Sequence, residues 1–468
     1  MKIIILFSFF YSFSGYCYFQ ELYQGFKNSK DIALAKTDAK LLTTSAELKE
    51  SQYAWDFTVS LNDSDSFVES LRSFNSQRTK SRTMLMGVSK DTFDFGTFGV
   101  SYQETLYDIS SWESSALSSF SLEELLESKY AINYQYEILN DYKKIDQKII
   151  ATEKSVATIQ DQLSKEQLSF DFFSTYLLVK QSIVNYQVHL ENLKLSKLRF
   201  DNVKRRVKDS LSKKIDLYQA ESAYIEQESL VESVRLSIEE SKKQLESVIG
   251  RKIPQEILKK LNWPKAFDYK TPEAIESKKL SVLRLQNRLA KLQSQQAKES
   301  NSHSFSIGGE YSKNSFDEDQ TESRNDLFEN KFEDRRIFIA YKIPIGTRKS
   351  SLLETRQKLT ELKASLAEKI EEESLKDRLN FLTQGMEKNS KLYNAAKKKE
   401  RLLLLAAKEG RTLYKRGQRS LDDILRLEES LVSASLDKYQ RLYNLESAQA
   451  EVAYLSGHIL DYLELYKD

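Results

Sequence analysis

The sequence predicts a mainly α-helical chain with a few β-strands, organised as two tandem strand/long-helix repeats. Three observations point there. Only 4 Pro and 13 Gly interrupt 468 residues, of which 30% are charged, a composition that suits long helices better than a many-turned β-fold. A few segments alternate apolar and polar residues with period 2, as strands do. A constant shift of 207 residues lays one half of the chain on the other, as duplication does.

The strands are the clearest elements. "KYAINYQYEI", 129–138, puts Tyr130, Ile132, Tyr134, Tyr136 and Ile138 on one face. "YAWDFTVSL", 53–61, does so with Tyr53, Trp55, Phe57, Val59 and Leu61. "SFSIGGEY", 304–311, offers Phe305, Ile307 and Tyr311, and "RIFIAYKIPI", 336–345, offers Ile337, Ile339, Tyr341, Ile343 and Ile345. The opposite faces carry Asp56, Thr58, Ser60, Asn133, Gln135, Glu137, Ser304, Ser306 and Glu310, with Phe338 and Ala340 beside Lys342 in the last strand. The 207-residue shift carries 129–138 onto 336–345 and continues downstream, pairing Lys208 with Lys415, Asp216 with Asp423, Glu221 with Glu428, Glu239 with Glu446 and Gly250 with Gly457.

Each repeat therefore has the same parts. Repeat 1, 18–250, reads as helix 20–52, strand 53–61, an extracellular insertion 62–128, strand 129–138, long helix 140–208, a tip at 208–213 and helix 214–250. A proline-marked linker, 251–270, follows. Repeat 2, 271–458, reads as helix 271–302 opened by Thr271-Pro272, strand 304–311, an acidic extracellular loop 312–335, strand 336–345, long helix 347–416, a tip at 416–420 and helix 420–457. A C-terminal tail, 459–468, remains. Inside the insertion, "TMLMGVSKD" and "GTFGVSYQET" suit a further hairpin around Asp94-Phe95-Gly96, in the sheet or outside it. The long helices reach about 105 Å, and the two shorter helices of each repeat, end to end, reach about the same. Past each tip a 3-4 spacing of Leu217, Ala220, Tyr224, Gln227, Val231, Val234, Ile238, Ser241, Leu245 and Val248, and of their partners 207 residues on, marks a coiled-coil seam. Glu221 and Glu428 read as solvated or paired helix charges.

The N-terminus, 1–17, has the charge, apolar core and small residues of a signal peptide, with cleavage expected between Ser14 and Cys17. No later stretch suits a membrane helix, so the strands are the elements left to meet a membrane. Membrane strands need about 9–11 residues, apolar outside and polar inside. Four such strands per chain cannot close alone. Three chains would supply a 12-stranded β-barrel that satisfies every backbone group in lipid, continued by an α-helical barrel. The reading is thus a homotrimer whose strands face lipid.

The tips carry a family likeness. "LYKRGQRSLDDILRLEESLVSA" and "VKDSLSKKIDLYQAESA" resemble the helical tips of the TolC-like outer-membrane efflux proteins, the outer membrane factors. The matching residues are Tyr414, Gly417, Arg419, Ser420 and Asp423, and Leu211, Asp216 and Ala220, with Ser210 where the family usually has Gly. The closing "VIG" and "LSG", and Pro344, also fit. The resemblance implies a trimeric channel-tunnel in the outer membrane of a Gram-negative bacterium, extending into the periplasm. It implies efflux or type I secretion with an inner-membrane pump and a periplasmic adaptor (membrane fusion protein). It also implies that Ser210, Leu211, Asp216, Tyr414, Gly417, Arg419, Ser420 and Asp423 form the entrance and adaptor contact. Tyr414 and Arg419 are implied as closing contacts and Asp216 and Asp423 as lining, with Arg426 where some relatives have a second acid.

Other classes find little support. A net charge of +2 without a sustained basic patch gives no case for nucleic acid. One Cys, three His and no catalytic motif argue against an enzyme, a cofactor or a metal site. The competing reading is a periplasmic coiled-coil scaffold or adaptor without a barrel. An adaptor would show one hairpin interrupting a compact β-domain, and this chain has two.

Overall fold

The structure is a computed structural model that describes residues 19–67, 78–108, 124–139, 141–254, 257, 275–300, 302–329, 332–343 and 348–466. The expected signal peptide, Thr271-Pro272, most of the linker and Pro344 lie outside the described residues. The chain divides into two compact units, one built from Met1–Lys40, Thr158–Leu283 and Ala367–Asp468, the other from Leu41–Ala157 and Arg284–Leu366.

The elements run α1 (19–27), α2 (Lys30–Ser51), β1 (Trp55–Phe67), β2 (Arg78–Thr92), β3 (Gly96–Asp108), β4 (Glu124–Glu137), α3 (Tyr142–Lys208), α4 (Lys214–Ile249), α5 (Lys278–Ser300), β5 (Ser304–Asp317), α6 (Gln320–Glu329), β6 (Glu333–Lys342), α7 (Arg348–Lys415), α8 (Leu421–Leu455) and α9 (Ile459–Leu465). The long helices, α3 with 67 residues and α7 with 68, sit where the repeat predicts them. The expected helix 20–52 is two helices, because the chain turns at Asn28 and Ser29 restarts it by accepting from the Ile32 amide.

All six strands form one antiparallel sheet in the order β1-β2-β3-β4-β5-β6. This corrects the expected count of four strands. The interval 62–128, expected as an extracellular insertion whose hairpin could lie in the sheet or outside it, holds β2 and β3 and extends β1 and β4, while α6 folds within the expected loop 312–335. The register keeps the two faces distinct from strand to strand. One row reads Phe57, Val88, Val100, Ile132, Tyr311 and Arg335, and the next row on the opposite face reads Thr58, Gly87, Ser101, Ala131, Ser312 and Asp334. Trp55, Phe57, Val59, Tyr130, Ile132, Tyr134, Tyr136, Phe305, Ile307, Tyr311, Ile337, Ile339 and Tyr341 share the first face, and Ile343, just past β6, is exposed. Much of this face lies open: Phe57 is 68% exposed and Ile337 81%. Tyr53 departs from the expected set. It lies in the turn that ends α2, its amide bonded to Glu50, its hydroxyl donating to Asp146 at 2.6 Å and its ring beside Phe93. At the far end of the apolar face α6 covers the sheet, with buried Ser323 donating to Ser128 at 2.9 Å and Gln320 and Arg324 donating to Glu104.

The other unit has its own aromatic core. Phe19, Leu22, Tyr23 and Phe26 of α1 pack on Phe172, Phe173, Tyr176 and Leu177 of α3 and on Ile459, Tyr462 and Leu463 of α9. The residues expected as a C-terminal tail thus form a docked helix. Its end is pinned by a buried chain in which Lys180 donates to the Tyr466 hydroxyl at 2.7 Å, and that hydroxyl donates to Glu446 at 3.2 Å. Burial lowers the Lys180 ammonium to about 8.

Glu166 of α3 is 4% exposed, with Lys278, His458, Asp461 and Glu276 around it. Burial raises its carboxyl to about 7. A carboxyl whose pKa rises on folding stabilises the fold below its unfolded pKa, and that contribution is lost as pH climbs through the folded value. Glu166→Gln should therefore raise the melting temperature relative to wild type at pH 8 and not at pH 4.5. A circular-dichroism melting difference that is flat with pH would contradict this.

Candidate functional site

The two tips are built alike from the backbone up. At the first, the Leu211 amide donates to Arg206 O at 2.7 Å and the Ser210 amide to Val207 O at 3.1 Å. At the second, Gln418 donates to Leu413 at 2.9 Å and Gly417 to Tyr414 at 2.9 Å. Both are Schellman closures that satisfy the last carbonyls of a helix. Each needs a left-handed residue, and the positions 207 apart supply it, Ser210 with φ 59° and Gly417 with φ 75°. Ser210 is the one described non-glycine residue with positive φ. A side chain there costs about 1 kcal/mol that glycine avoids.

The helices leaving the tips also start alike. Lys213 precedes α4 and its amide donates to the Asp216 carboxylate at 3.1 Å. Ser420 precedes α8 and its hydroxyl accepts from the Asp423 amide at 3.2 Å. Hydrogen bonding with Ser420 holds the Asp423 carboxyl below its ordinary range. Both acids serve their own helix starts, where the dipole also favours them.

Tyr414 is placed differently. It packs against the buried cluster of Val203, Ala220 and Leu421, which Phe200, Val207, Leu217 and Leu425 also flank, and the Arg206 guanidinium lies over its ring at 5.1 Å. Burial raises its hydroxyl above the usual range. It thus ties the α7–α8 hairpin to the α3–α4 hairpin within one chain. Arg419 lies beside Gly410, and Leu211, Gly417, Arg419, Ser420 and Asp423 are exposed. Arg426 pairs with Asp422 at 3.0 Å, so it neutralises an acid of the same turn. No catalytic set converges here, and among the described residues no group of His, Cys, Asp or Glu is placed to hold a metal.

A further tie lies about two helical turns from the tips. Glu428 of α8, 5% exposed, pairs with Arg199 of α3 and accepts from Arg411 of α7 at 2.8 Å. Burial lowers the Arg199 guanidinium to about 10. Glu221, its counterpart in the first repeat, is exposed. The sequence treats both glutamates alike because their local spacing is the same. What distinguishes them is the facing helix, which only the assembled fold supplies.

No protein-family model matches the chain, and no curated protein matches it in sequence. Solved structures match it in fold. The outer membrane protein VceC of Vibrio cholerae aligns over 94% of this chain and 96% of its own, at 12% identity and a TM-score of 0.70. The CmeC outer membrane channel of Campylobacter jejuni aligns over 94% and 86%, at 13% identity and 0.68. The open state of the MtrE outer membrane channel of Neisseria gonorrhoeae aligns over 94% and 89%, at 15% identity and 0.58. The fold is therefore that of outer-membrane channels of the TolC-like type, long helical hairpins joined to an antiparallel sheet.

Two outcomes follow for the tips. Ser210→Gly should stabilise the solubilised protein by about 1 kcal/mol, and a denaturant midpoint that falls would contradict the left-handed turn. Glu428→Ala strands Arg199 in a buried site and should cost about 3–5 kcal/mol. Glu221→Ala, at the matching exposed position, should stay within about 0.5 kcal/mol. Equal losses in thermal melting would refute the asymmetry.

Proposed function

We propose that this chain is one subunit of a trimeric outer-membrane channel-tunnel for efflux or type I secretion. The observation that carries this is the sheet. One face is apolar and open, the other is polar, and the outer edges of β1 and β6 are left for other chains. From Tyr130 to Ile138, the residue after β4, the apolar stripe runs nine residues, within the about 9–11 that a membrane strand spans. In lipid an open edge leaves backbone groups unsatisfied, so copies of the chain must complete the barrel.

The polar face then lines a water-filled lumen, and the helical hairpins carry it into the periplasm. The tips, with Ser210, Leu211, Asp216, Tyr414, Gly417, Arg419, Ser420 and Asp423, form the entrance and meet a periplasmic adaptor. In this reading energy comes from an inner-membrane pump. The outer-membrane channels that share this fold, and the likeness of the two tip segments to that family, support the reading. A soluble scaffold would leave the aromatic face exposed to water at a cost of about 25 cal/mol per Å².

The exposed tip residues make the gate testable. The mature chain, extracted with detergent and placed in planar bilayers, should form pores of low conductance at rest. The double variant Arg419→Ala, Asp423→Ala should raise single-channel conductance at least twofold. Unchanged conductance rules out this gate, and a chain that stays soluble and forms no pore rules out the channel.

A further inference from the structure

The hairpin β2–β3 changes the size of what the sheet can enclose. It lies between β1 and β4, with β1 bonded along β2 and β3 along β4. It also repeats the two-faced pattern of its neighbours at the same levels. Met86, Val88, Val100 and Tyr102 stand in the rows of Phe57, Val59, Tyr130 and Ile132. Lys90 extends over the Trp55 ring at 5.2 Å at the lower rim, as a cation does where an apolar band meets polar surroundings. The opposite face of the hairpin is mainly polar or small, with Thr83, Gly87, Ser89, Asp91, Gly99, Ser101, Gln103 and Thr105 beside Leu85 and Tyr107. A projecting loop has no need of an apolar stripe held at these levels.

The hairpin turn is fitted to the sheet. Gly96 has φ 79°, and a Cβ there would stand 2.2 Å from the Gln135 carbonyl of β4. Position 96 is thus restricted by the neighbouring strand as well as by its own turn. The Thr92 hydroxyl closes the turn, donating to Gly96 O at 2.7 Å and accepting from the Phe95 amide at 3.0 Å.

We infer that β2 and β3 are barrel staves, so that three copies close a barrel of eighteen strands and enclose a pore for bulky, polypeptide-sized cargo. The inference rests on the trimeric channel reading above and sets the width of that same conduit. Barrel diameter grows roughly in proportion to strand number, so this pore is about one and a half times as wide as a twelve-stranded one. Gly87, Ser89, Gly99 and Ser101 leave one end of the hairpin's inner face free of long side chains.

Cryo-electron microscopy of the mature chain in lipid nanodiscs counts the strands directly. Eighteen strands, with 78–108 in the wall, is the expected result. A twelve-stranded wall with 78–108 outside it overturns the inference and leaves the channel reading standing, whereas a monomer without a barrel removes both. A second measurement needs no image. With Cys17, the chain's one cysteine, replaced by Ser, the pair Ser101→Cys and Ala131→Cys joins β3 to β4 across small residues. It should oxidise to an intrachain disulfide in membrane-embedded trimers, and a pair that stays reduced in such trimers counts against the hairpin. Graded polyethylene glycols added on the barrel side of a bilayer should enter up to a size about one and a half times that expected for twelve strands. A cutoff at the twelve-strand size would refute the bulky cargo.

Discussion

The constraint on which the proposed channel depends is that the six-stranded sheet of the described residues is open at both edges. A strand edge is a row of unmet donors and acceptors, and β1 and β6 each have one such edge. In water, natural sheets blunt such edges with charge, proline or a covering segment. Here the face beside the edges is aromatic and aliphatic, so water is the wrong solvent for both the edge and the surface. In the proposed channel, hydrocarbon would suit the face and make the edge far more costly, which would leave self-association around a closed wall. The length of the apolar stripe, the polarity of the opposite face and the shared register all follow from that one requirement.

The helical part answers a different demand, namely building two near-equal hairpins from one duplicated design. The 207-residue repeat preserves backbone chemistry more strictly than side chains. Both tips keep the same pair of closing hydrogen bonds, the same left-handed residue and an acid at the third helical position. Ser210 shows that the turn is retained even where the residue is poorly suited to it, because leaving the last carbonyls of α3 unmet would cost more than the strain. Divergence is concentrated where the hairpins face other elements, as with Glu221 and Glu428.

Much of this was legible in the residues. The four strongest strands, both long helices, the two tips and the repeat all show periodicities that depend on local sequence alone. What was hidden depends on partners distant in sequence. The hairpin 78–108 alternates as clearly as any strand, yet only pairing with β1 and β4 decides its place. Tyr53 continues the alternation of β1 but falls in the turn that ends α2, where Asp146 offers a hydrogen bond. The tail helix α9 is too short for its periodicity to signal a docking face, and its burial depends on the aromatics of α1 and α3. Arg199, Arg206 and Arg411 look like ordinary helix charges until α7 and α8 are packed beside α3.

Those arginines bear on how such an entrance could open. Near the tips the hairpins of one chain are joined by Arg206 over the ring of Tyr414 and by Glu428 between Arg199 and Arg411. Separating a buried ion pair leaves charge without solvent, at about 3–5 kcal/mol. An exposed tip pair is worth about 0–1 kcal/mol, and the charges of Arg419, Asp422, Asp423 and Arg426 are all exposed. The cheap contacts therefore lie at the outer surface of the tips, and the costly ones lie between hairpins of the same chain. In the proposed trimer, opening would then move each chain's two hairpins together as one body and break contacts between chains. In that proposal the exposed residues act at the gate and the buried arginines stiffen the part that moves.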